Sequence, residues 1–144
     1  MPHIFHLHRE SLKRKFAIYV VIAKWEARHE LYIGKVGDNR DGCNPIISRC
    51  GNHFSYNEIH SQVRNKIPNH EAKEYIYVFE HFDDYVQNPD ERRAAVERIN
   101  EMERWLNQDI QAASREHSEI VLLNPYKGSG YLRKEERSKR AAFH

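Results

Sequence analysis

An arginine and a histidine, Arg49 and His53, lie four residues apart in the stretch "NPIISRCGNHF". Asn44 and Pro45 precede them, and an Asn-Pro pair is typical of a helix start because Asn caps the helix and proline fits its first turn. We therefore expect a short helix from about Pro45 to His53, with both side chains on one face. A guanidinium binds anions through a planar fork of donors, and imidazole exchanges a proton near neutral pH. The pair is suited to chemistry on an anion.

An acidic residue stands out in the second half of the chain. Residues 88–116 predict a long helix, with an Asn-Pro pair at its entry and acids in its first turn. Its apolar positions form one stripe: Val96, Ile99, Leu106 and Ile110. Glu103 lies inside or at the edge of that stripe, whereas Glu97 and Glu101 project to the opposite side. A carboxylate facing a core needs a partner. Glu103 is therefore either a border acid paired with Arg or water, or a ligand of Mg²⁺ or Mn²⁺.

Three strands and one further helix must position these groups. β-Branched and aromatic runs predict the strands Phe16–Ala23, Leu31–Val36 and Glu74–Phe82. Residues 24–30 read as a hairpin connection, and Gly34 as a bulge or a point of close backbone approach. Ser55–Glu58 has a capping-box pattern, which predicts a second helix that ends at Pro68 and has an apolar stripe of Ile59, Val63 and Ile67. The order ββααβα indicates an α+β domain, with a small, mostly antiparallel three-stranded sheet flanked by helices.

Composition indicates one globular domain of 144 residues with 40% hydrophobic and 31% charged residues. We expect a core over about residues 16–126, a basic N-terminal extension 1–15 and a basic C-terminal tail 127–144. No apolar run approaches the roughly 18 residues needed to span a bilayer. Cys43 and Cys50 are typical of reduced thiols, so we expect a cytoplasmic protein without membrane contact. Basic ends and an acidic stretch from Glu71 to Glu91 suggest a face suited to phosphate, although charged ends also serve solubility.

Two tripeptides on the predicted hairpin connect these observations. Ala17-Ile18-Tyr19 and Tyr32-Ile33-Gly34 resemble the paired motifs of the GIY-YIG nucleases, with alanine in place of the first glycine. Further matches follow in the family's order: Arg49 on the next helix, the glutamate of "MERWL" and the asparagine of "LLNPY". The resemblance extends from about Phe16 to Tyr126. The Arg-x-x-x-His pattern, with Lys35 directly after the second tripeptide, is most similar to the small restriction endonucleases of this family.

The resemblance implies a role for each matching residue. It assigns Tyr19 to the attacking water. On chemical grounds, Lys35 is a candidate for the cation that would favour ionisation of Tyr19, and His53 is an alternative proton acceptor or relay. Tyr32 would line the pocket or bond the phosphate. Arg49 would bind the scissile phosphate, and Glu103 would hold one divalent ion, Mg²⁺ or Mn²⁺. Taken singly, each of these residues also fits an ordinary structural position.

DNA contacts are expected from the second helix and from the basic tail. Asn and Gln can read adenine and Arg can read guanine, whereas Lys and Arg of a tail hold phosphates. A solvated charged face is the alternative explanation of the same residues. The positions assigned to DNA binding are Gly34, Arg64, Asn65, Lys66, Asn124, Lys127, Arg133 and Lys134.

The predicted function is a metal-dependent DNA endonuclease in restriction or phage defence. The sequence does not decide whether the protein forms a homodimer for double-strand cleavage or has a cognate DNA methyltransferase as a partner. It also does not decide between DNA and RNA as the substrate. The alternatives are a catalytically inactive nucleic-acid-binding protein on the same fold, a repair or recombination nuclease, and an unrelated α+β interaction protein. In the last case Tyr19, Arg49 and Glu103 would lie more than roughly 15 Å apart, too far to contact one phosphate.

Overall fold

The computed structural model describes residues 1–37, 44–57, 59 and 61–126. Six helices and strands follow one another in this part of the chain: β1 (Lys15–Trp25), β2 (Arg28–Val36), α1 (Ile46–Phe54), β3 (Glu74–Asp84), α2 (Pro89–Glu116) and β4 (Ile120–Leu122). Short 3₁₀ helices occupy Arg9–Leu12, Arg64–Lys66 and His70–Ala72. The fold is α+β, as predicted. None of the helices in these ranges is long and apolar enough to cross a membrane.

The sheet has four strands in the order β3-β1-β2-β4. β1 lies in the middle and pairs antiparallel with both β2 and β3, which confirms the three predicted strands. β4 was not predicted. It pairs parallel to β2 and only along His29, Glu30 and Leu31. A strand of three residues is too short to show a hydrophobic period, so its position depends on tertiary contacts that the sequence pattern does not contain.

The β1–β2 hairpin is tighter than predicted. Trp25 pairs with Arg28, which leaves Glu26 and Ala27 as the turn, and Glu26 has a positive φ of 46°. Both strands therefore extend into residues 24–30, which the sequence suggested as a connection. This register places Tyr19 opposite Gly34 and Ile18 opposite Lys35.

Alternating side chains of β1 contribute to two separate cores. On one face Ala17, Tyr19 and Val21 pack with Ile46 of α1 and with Val63. On the other face Phe16 and Ile18 pack against α2, with Ala95, Ile99 and Met102 as the buried helix residues. The sheet thus lies between α1 and α2. Successive side chains of β2 therefore face α1 and α2 in turn.

The second predicted helix is wrong. Residues 55–68 form turns and the short 3₁₀ helix at Arg64–Lys66, and Ser55 is instead the C-cap of α1. Its hydroxyl donates to the Asn52 carbonyl oxygen at 3.1 Å, a local bond that ends one helix instead of starting another. Val63 and Ile67 are buried as expected, but Ile59 is exposed. Glu58, the acid of the capping box, lies outside the described residues, as does Cys43; Cys50 is a free thiol.

Both α-helices begin close to their predicted positions. α1 begins one residue later than expected, with Pro45 as its N-cap. At the start of α2 the Asn88 side chain accepts from the backbone N–H groups of Asp90 and Glu91 at 3.0 and 3.1 Å, which confirms the predicted cap. Glu97 is exposed as predicted, but the same prediction for Glu101 is wrong: it is 4% exposed and lies 3.9 Å from Arg104. The hydrophobic period identifies the side of a helix that faces the sheet. It does not show whether other residues cover the remaining sides of the helix.

Gly34 allows the ring of Tyr19 to lie against β2. A Cβ at position 34 would lie 2.2 Å from Tyr19 Cζ and 2.3 Å from its hydroxyl oxygen, far inside van der Waals contact. This is the close approach that the sequence suggested. The alternative, a bulge at Gly34, is not observed, because β1 and β2 pair without a register shift from Ala17 and Val36 to Trp25 and Arg28.

Replacing Gly34 by alanine should therefore displace the Tyr19 ring. We expect Gly34→Ala to lower the free energy of unfolding by about 1–3 kcal/mol through overpacking. Gly51→Ala is the matched control, since a Cβ there meets nothing within 4 Å and the residue lies inside α1. The control should raise the free energy of unfolding by about 0.5–1 kcal/mol. Urea denaturation measures both, and equal effects of the two substitutions would contradict the contact.

Candidate active site

A cleft opens at the edge of β2, between α1 and α2. β4 covers this edge only as far as Leu31, so the end of β2 from Tyr32 onward lies beyond its strand partner. The cleft has a volume of about 360 Å³. All six residues predicted as catalytic line it: Tyr19, Tyr32, Lys35, Arg49, His53 and Glu103. The structure therefore brings together side chains from β1, β2, α1 and α2. Tyr19, Arg49 and Glu103 do not lie in separate regions, as the alternative of an unrelated interaction protein predicts.

Tyr19, His53 and Tyr77 form a hydrogen-bonded chain. Tyr19 Oη lies 2.9 Å from His53 Nε2, and His53 Nδ1 lies 3.0 Å from Tyr77 Oη. Burial, and secondly the charge of Arg49, lower the pKa of His53 from 6.5 to about 4. The ring is therefore neutral at pH 7, with one N–H donor and one acceptor nitrogen. It donates to one tyrosine and accepts from the other, an arrangement through which a proton can pass.

Tyr77 is a site residue that the sequence analysis missed. Its pKa is raised far above the usual value, first by burial and then by Cys50, so its phenol stays protonated and holds the far side of the His53 ring. The sequence contains one indication of this position: aromatic residues alternate along β3 at Tyr75, Tyr77 and Phe79, which predicts that they share one face of the sheet. These residues share the face of the sheet on which Tyr19 lies, because β1 and β3 pair residue by residue through Val21 and Tyr77.

Lys35 and Glu103 form the other side of the cleft. Lys35 Nζ lies 3.8 Å from Glu103 Oε1 and donates to the side-chain oxygen of Asn100, one helical turn before Glu103. Because Lys35 pairs with Ile18, its side chain leaves β2 on the face packed against α2. The sequence predicted that this ammonium would act on Tyr19, but Tyr19 lies on the opposite face of the sheet. In the structure it instead offsets the charge of Glu103.

Tyr32 lines the cleft together with groups of both charges. Its ring meets the edge of His53, with the two centroids 5.1 Å apart. The pKa of Tyr32 is raised, first by burial and then by the charge of Glu103, while the charge of Arg49 acts in the opposite direction. Arg49 and Glu103 are thus both close enough to act on one phenol. A ligand at this point would meet a guanidinium and a carboxylate together.

Asn124 supports β2 through its backbone. Its side-chain oxygen accepts from Ile33 N–H at 3.0 Å, and its amide nitrogen donates to the Ile33 carbonyl at 2.7 Å. Asn107 of α2 donates in turn to the Asn124 carbonyl at 2.9 Å. Asn124 therefore extends the edge pairing beyond β4 by means of a side chain. It lines the cleft, but both polar atoms of its amide already bond the main chain, which indicates positioning of β2.

The residues present fit a divalent ion that is shared with a substrate. Within the described ranges no three His, Cys, Asp or Glu side chains gather closely enough to hold a metal by themselves. Glu103 is the carboxylate that lines the cleft. Mg²⁺ keeps several waters and is commonly bound by one or two carboxylates together with substrate phosphates. Glu103 alone, in a cleft that Arg49 also lines, meets that requirement only together with a substrate phosphate.

The residues predicted to bind DNA are dispersed. Arg64 donates through Nε to the Ser55 carbonyl at 2.7 Å, and its guanidinium lies over the Tyr56 ring. Asn65 and Lys66 are exposed on the 3₁₀ helix, and Gly34 is buried beneath Tyr19. The tail residues Lys127, Arg133 and Lys134 lie outside the described part of the chain. Two further polar residues, Asn52 and Gln62, line the cleft and were not predicted to be catalytic.

No family model, curated protein or solved structure matches the chain. What can be inferred about its chemistry depends on the side chains that line the cleft and on the distances between them.

The buried His53 should make stability depend on pH. Its folded-state pKa of about 4 lies below the unfolded value of 6.5, so the unfolded chain binds the proton first as the pH falls. The stabilisation is complete above pH 6.5 and is lost between pH 6.5 and 4, by about 3 kcal/mol. His53→Gln should remove this part of the pH dependence, as measured by urea denaturation across that range.

His117→Gln is the control, because this histidine is exposed at the end of α2. It should keep the pH dependence of the wild type. If His53→Gln loses as much stability as the wild type between pH 6.5 and 4, His53 is not buried as a neutral ring.

Proposed function

We propose that this protein is a metal-dependent DNA endonuclease of the GIY-YIG type, which hydrolyses phosphodiester bonds in the cleft beside β2. The observation that supports this proposal is the meeting of Tyr19, Arg49 and Glu103 in one cleft of about 360 Å³. They come from β1, α1 and α2, so their proximity is a result of folding. They also match the functional tyrosine, arginine and glutamate of the family that the tripeptides resemble.

Catalysis of phosphodiester hydrolysis involves three tasks. A base must take the proton of the attacking water, positive charge must stabilise the phosphoryl oxygens, and the departing 3′-oxygen must be stabilised. Arg49 fits the second task because its guanidinium can donate two parallel hydrogen bonds to a phosphate. Tyr32, at the same point of the cleft, has a hydroxyl that can bond the same anion.

Tyr19 and His53 fit the first task as a pair. In the proposed mechanism Tyr19 Oη faces the attacking water, and His53, 2.9 Å away, accepts or passes on the proton. A histidine with a pKa of about 4 is a weak base in the free protein. Burial is the main cause of this low pKa and the charge of Arg49 is the second, and a bound phosphate would compensate the charge of Arg49. Substrate binding would then raise the proton affinity of His53 when a base is needed.

Glu103 fits the third task as the protein ligand of Mg²⁺ or Mn²⁺. Such an ion, when bound, supplies positive charge to the phosphate and to the departing oxygen. Lys35 Nζ lies 3.8 Å from Glu103 Oε1, so the ammonium attracts the carboxylate and orients it. Asn100 holds the Lys35 ammonium on the same side of β2.

The biological role that we propose is restriction or phage defence in the cytoplasm. This follows from the likeness of the Arg49-x-x-x-His53 pattern and Lys35 to the family's small restriction endonucleases. One cleft cuts one strand, so a homodimer would be needed for concerted double-strand cleavage, and a cognate methyltransferase would protect the host. The complete set of groups in the cleft favours an active enzyme over a nucleic-acid-binding protein on the same fold.

Cleavage should depend on Arg49 and Glu103. We expect Arg49→Ala and Glu103→Ala to reduce nicking of supercoiled plasmid by roughly 10²–10³-fold or more. Arg49→Ala removes a positive charge from the transition state, and Glu103→Ala removes the residue that would hold the metal ion. The assay is run in Mg²⁺, in Mn²⁺ and in EDTA, with repair-type branched DNA as a second substrate. The wild type should cut only with a metal ion present.

Two variants serve as controls. Arg49→Lys keeps the charge but loses the planar fork, so its activity should lie between those of wild type and Arg49→Ala. Glu97→Ala removes an exposed acid from the same helix and should keep full activity. Cleavage that survives Glu103→Ala would overturn the metal site, and a wild type that cuts no nucleic acid would overturn the enzyme.

A further inference from the structure

The hydrogen-bonded chain behind Tyr19 continues past His53 and Tyr77 to a cysteine. Tyr77 Oη lies 3.0 Å from His53 Nδ1, and the same hydroxyl forms a hydrogen bond with the thiol of Cys50 on α1. Cys50 and Tyr77 line a second cavity, of about 620 Å³, and neither lines the catalytic cleft. Both residues therefore act on the cleft only through the imidazole ring.

The protons of this chain can be arranged in two directions, because a neutral imidazole has one N–H. In the first, Tyr77 donates to Cys50 Sγ and accepts from His53 Nδ1–H, so that His53 Nε2 accepts from the Tyr19 hydroxyl. In the second, Cys50 donates to Tyr77, Tyr77 donates to Nδ1, and Nε2–H donates to Tyr19. Only the first direction leaves Nε2 free to take a proton from Tyr19.

The bond at Cys50 favours the first direction. Both directions contain the same kinds of phenol–imidazole bonds, but at the cysteine end a phenol O–H donates in one and a thiol S–H in the other, and S–H is the weaker donor. Tyr77 keeps its proton, since burial and then Cys50 raise its pKa far above the usual value. Burial raises the pKa of Cys50, and the hydrogen bond from Tyr77 acts in the opposite direction, as a donor does.

We propose that Cys50 and Tyr77 are positioning residues that fix His53 as the Nδ1–H tautomer, so that Nε2 accepts the proton of the Tyr19 hydroxyl. The catalytic consequence depends on the proposed function. Water gives a proton to Tyr19 Oη while the Tyr19 proton passes to Nε2. The water oxygen forms the bond to phosphorus, and the 3′-oxygen leaves with the electron pair of the broken P–O bond. His53 ends the step as an imidazolium that still donates to Tyr77.

The tautomer can be measured without a substrate. Long-range ¹H–¹⁵N NMR spectra separate protonated from unprotonated ring nitrogens, and the signals of His53 are those that His53→Gln removes. At neutral pH the wild type should have its proton on Nδ1. In Cys50→Ala the Tyr77 hydroxyl loses its acceptor and should donate to Nδ1, so the proton should move to Nε2. Tyr77→Phe should have the same result, because Nδ1 loses its partner and Nε2–H still finds Tyr19.

Nicking of plasmid should follow the tautomer. Tyr77→Phe should slow cleavage by roughly 10²-fold or more, since His53 then no longer accepts through Tyr19. Cys50→Ala should slow it in the same direction, and DNA binding in EDTA should be unchanged in both variants. Tyr75→Phe is the matched control: this hydroxyl lies two residues away on β3 and donates to the His70 carbonyl at 2.8 Å. It should keep both the tautomer and the cleavage rate.

The positioning proposal and the proposed function can fail separately. A proton on Nε2 in the wild type, or a proton that stays on Nδ1 in Cys50→Ala, would overturn the positioning proposal even if cleavage still requires Arg49. If the tautomers change as expected but the wild type cuts no nucleic acid, Cys50 and Tyr77 do position His53 and the proposed function is wrong.

Discussion

The candidate site depends on one steric constraint, the contact of Tyr19 with a residue that has no Cβ. The β1–β2 register sets Tyr19 opposite Gly34, and the ring occupies the volume where any other side chain would begin. With the ring in this position, its hydroxyl oxygen lies 2.9 Å from His53 Nε2. The second tripeptide of the hairpin thus has a physical reason for its glycine: it makes room for the tyrosine of the first.

The cleft exists because one strand is short. β4 pairs with only three residues of β2, and beyond them Asn124 satisfies the backbone of Ile33 with its side chain. The end of β2 is thereby stabilised without being covered. α1 brings a guanidinium and an imidazole to one face of this edge, and α2 brings a carboxylate to the other. Charges of opposite sign can approach a single ligand there while separate cores hold the two helices.

Much of this architecture could be predicted from the sequence. The three longer strands have clear β-branched patterns, and the Asn88–Pro89 start of α2 is a local signal that tertiary structure does not alter. The failures concern features that local patterns do not determine. Ser55 bonds backward into α1 and so ends a helix, β4 is positioned only by packing, and Glu101 is buried on the side of α2 that periodicity assigns to solvent. Tyr77 was missed because its role depends on a histidine from another element.

The most direct test of the account is a crystal structure of the protein with a bound oligonucleotide, grown with Ca²⁺ in place of Mg²⁺ to prevent turnover. The account predicts one phosphate group in hydrogen-bond contact with the Arg49 guanidinium, a cation between that phosphate and Glu103, and Tyr19 Oη directed toward the phosphorus. An oligonucleotide bound elsewhere on the surface, with Glu103 still paired to Lys35, would contradict it.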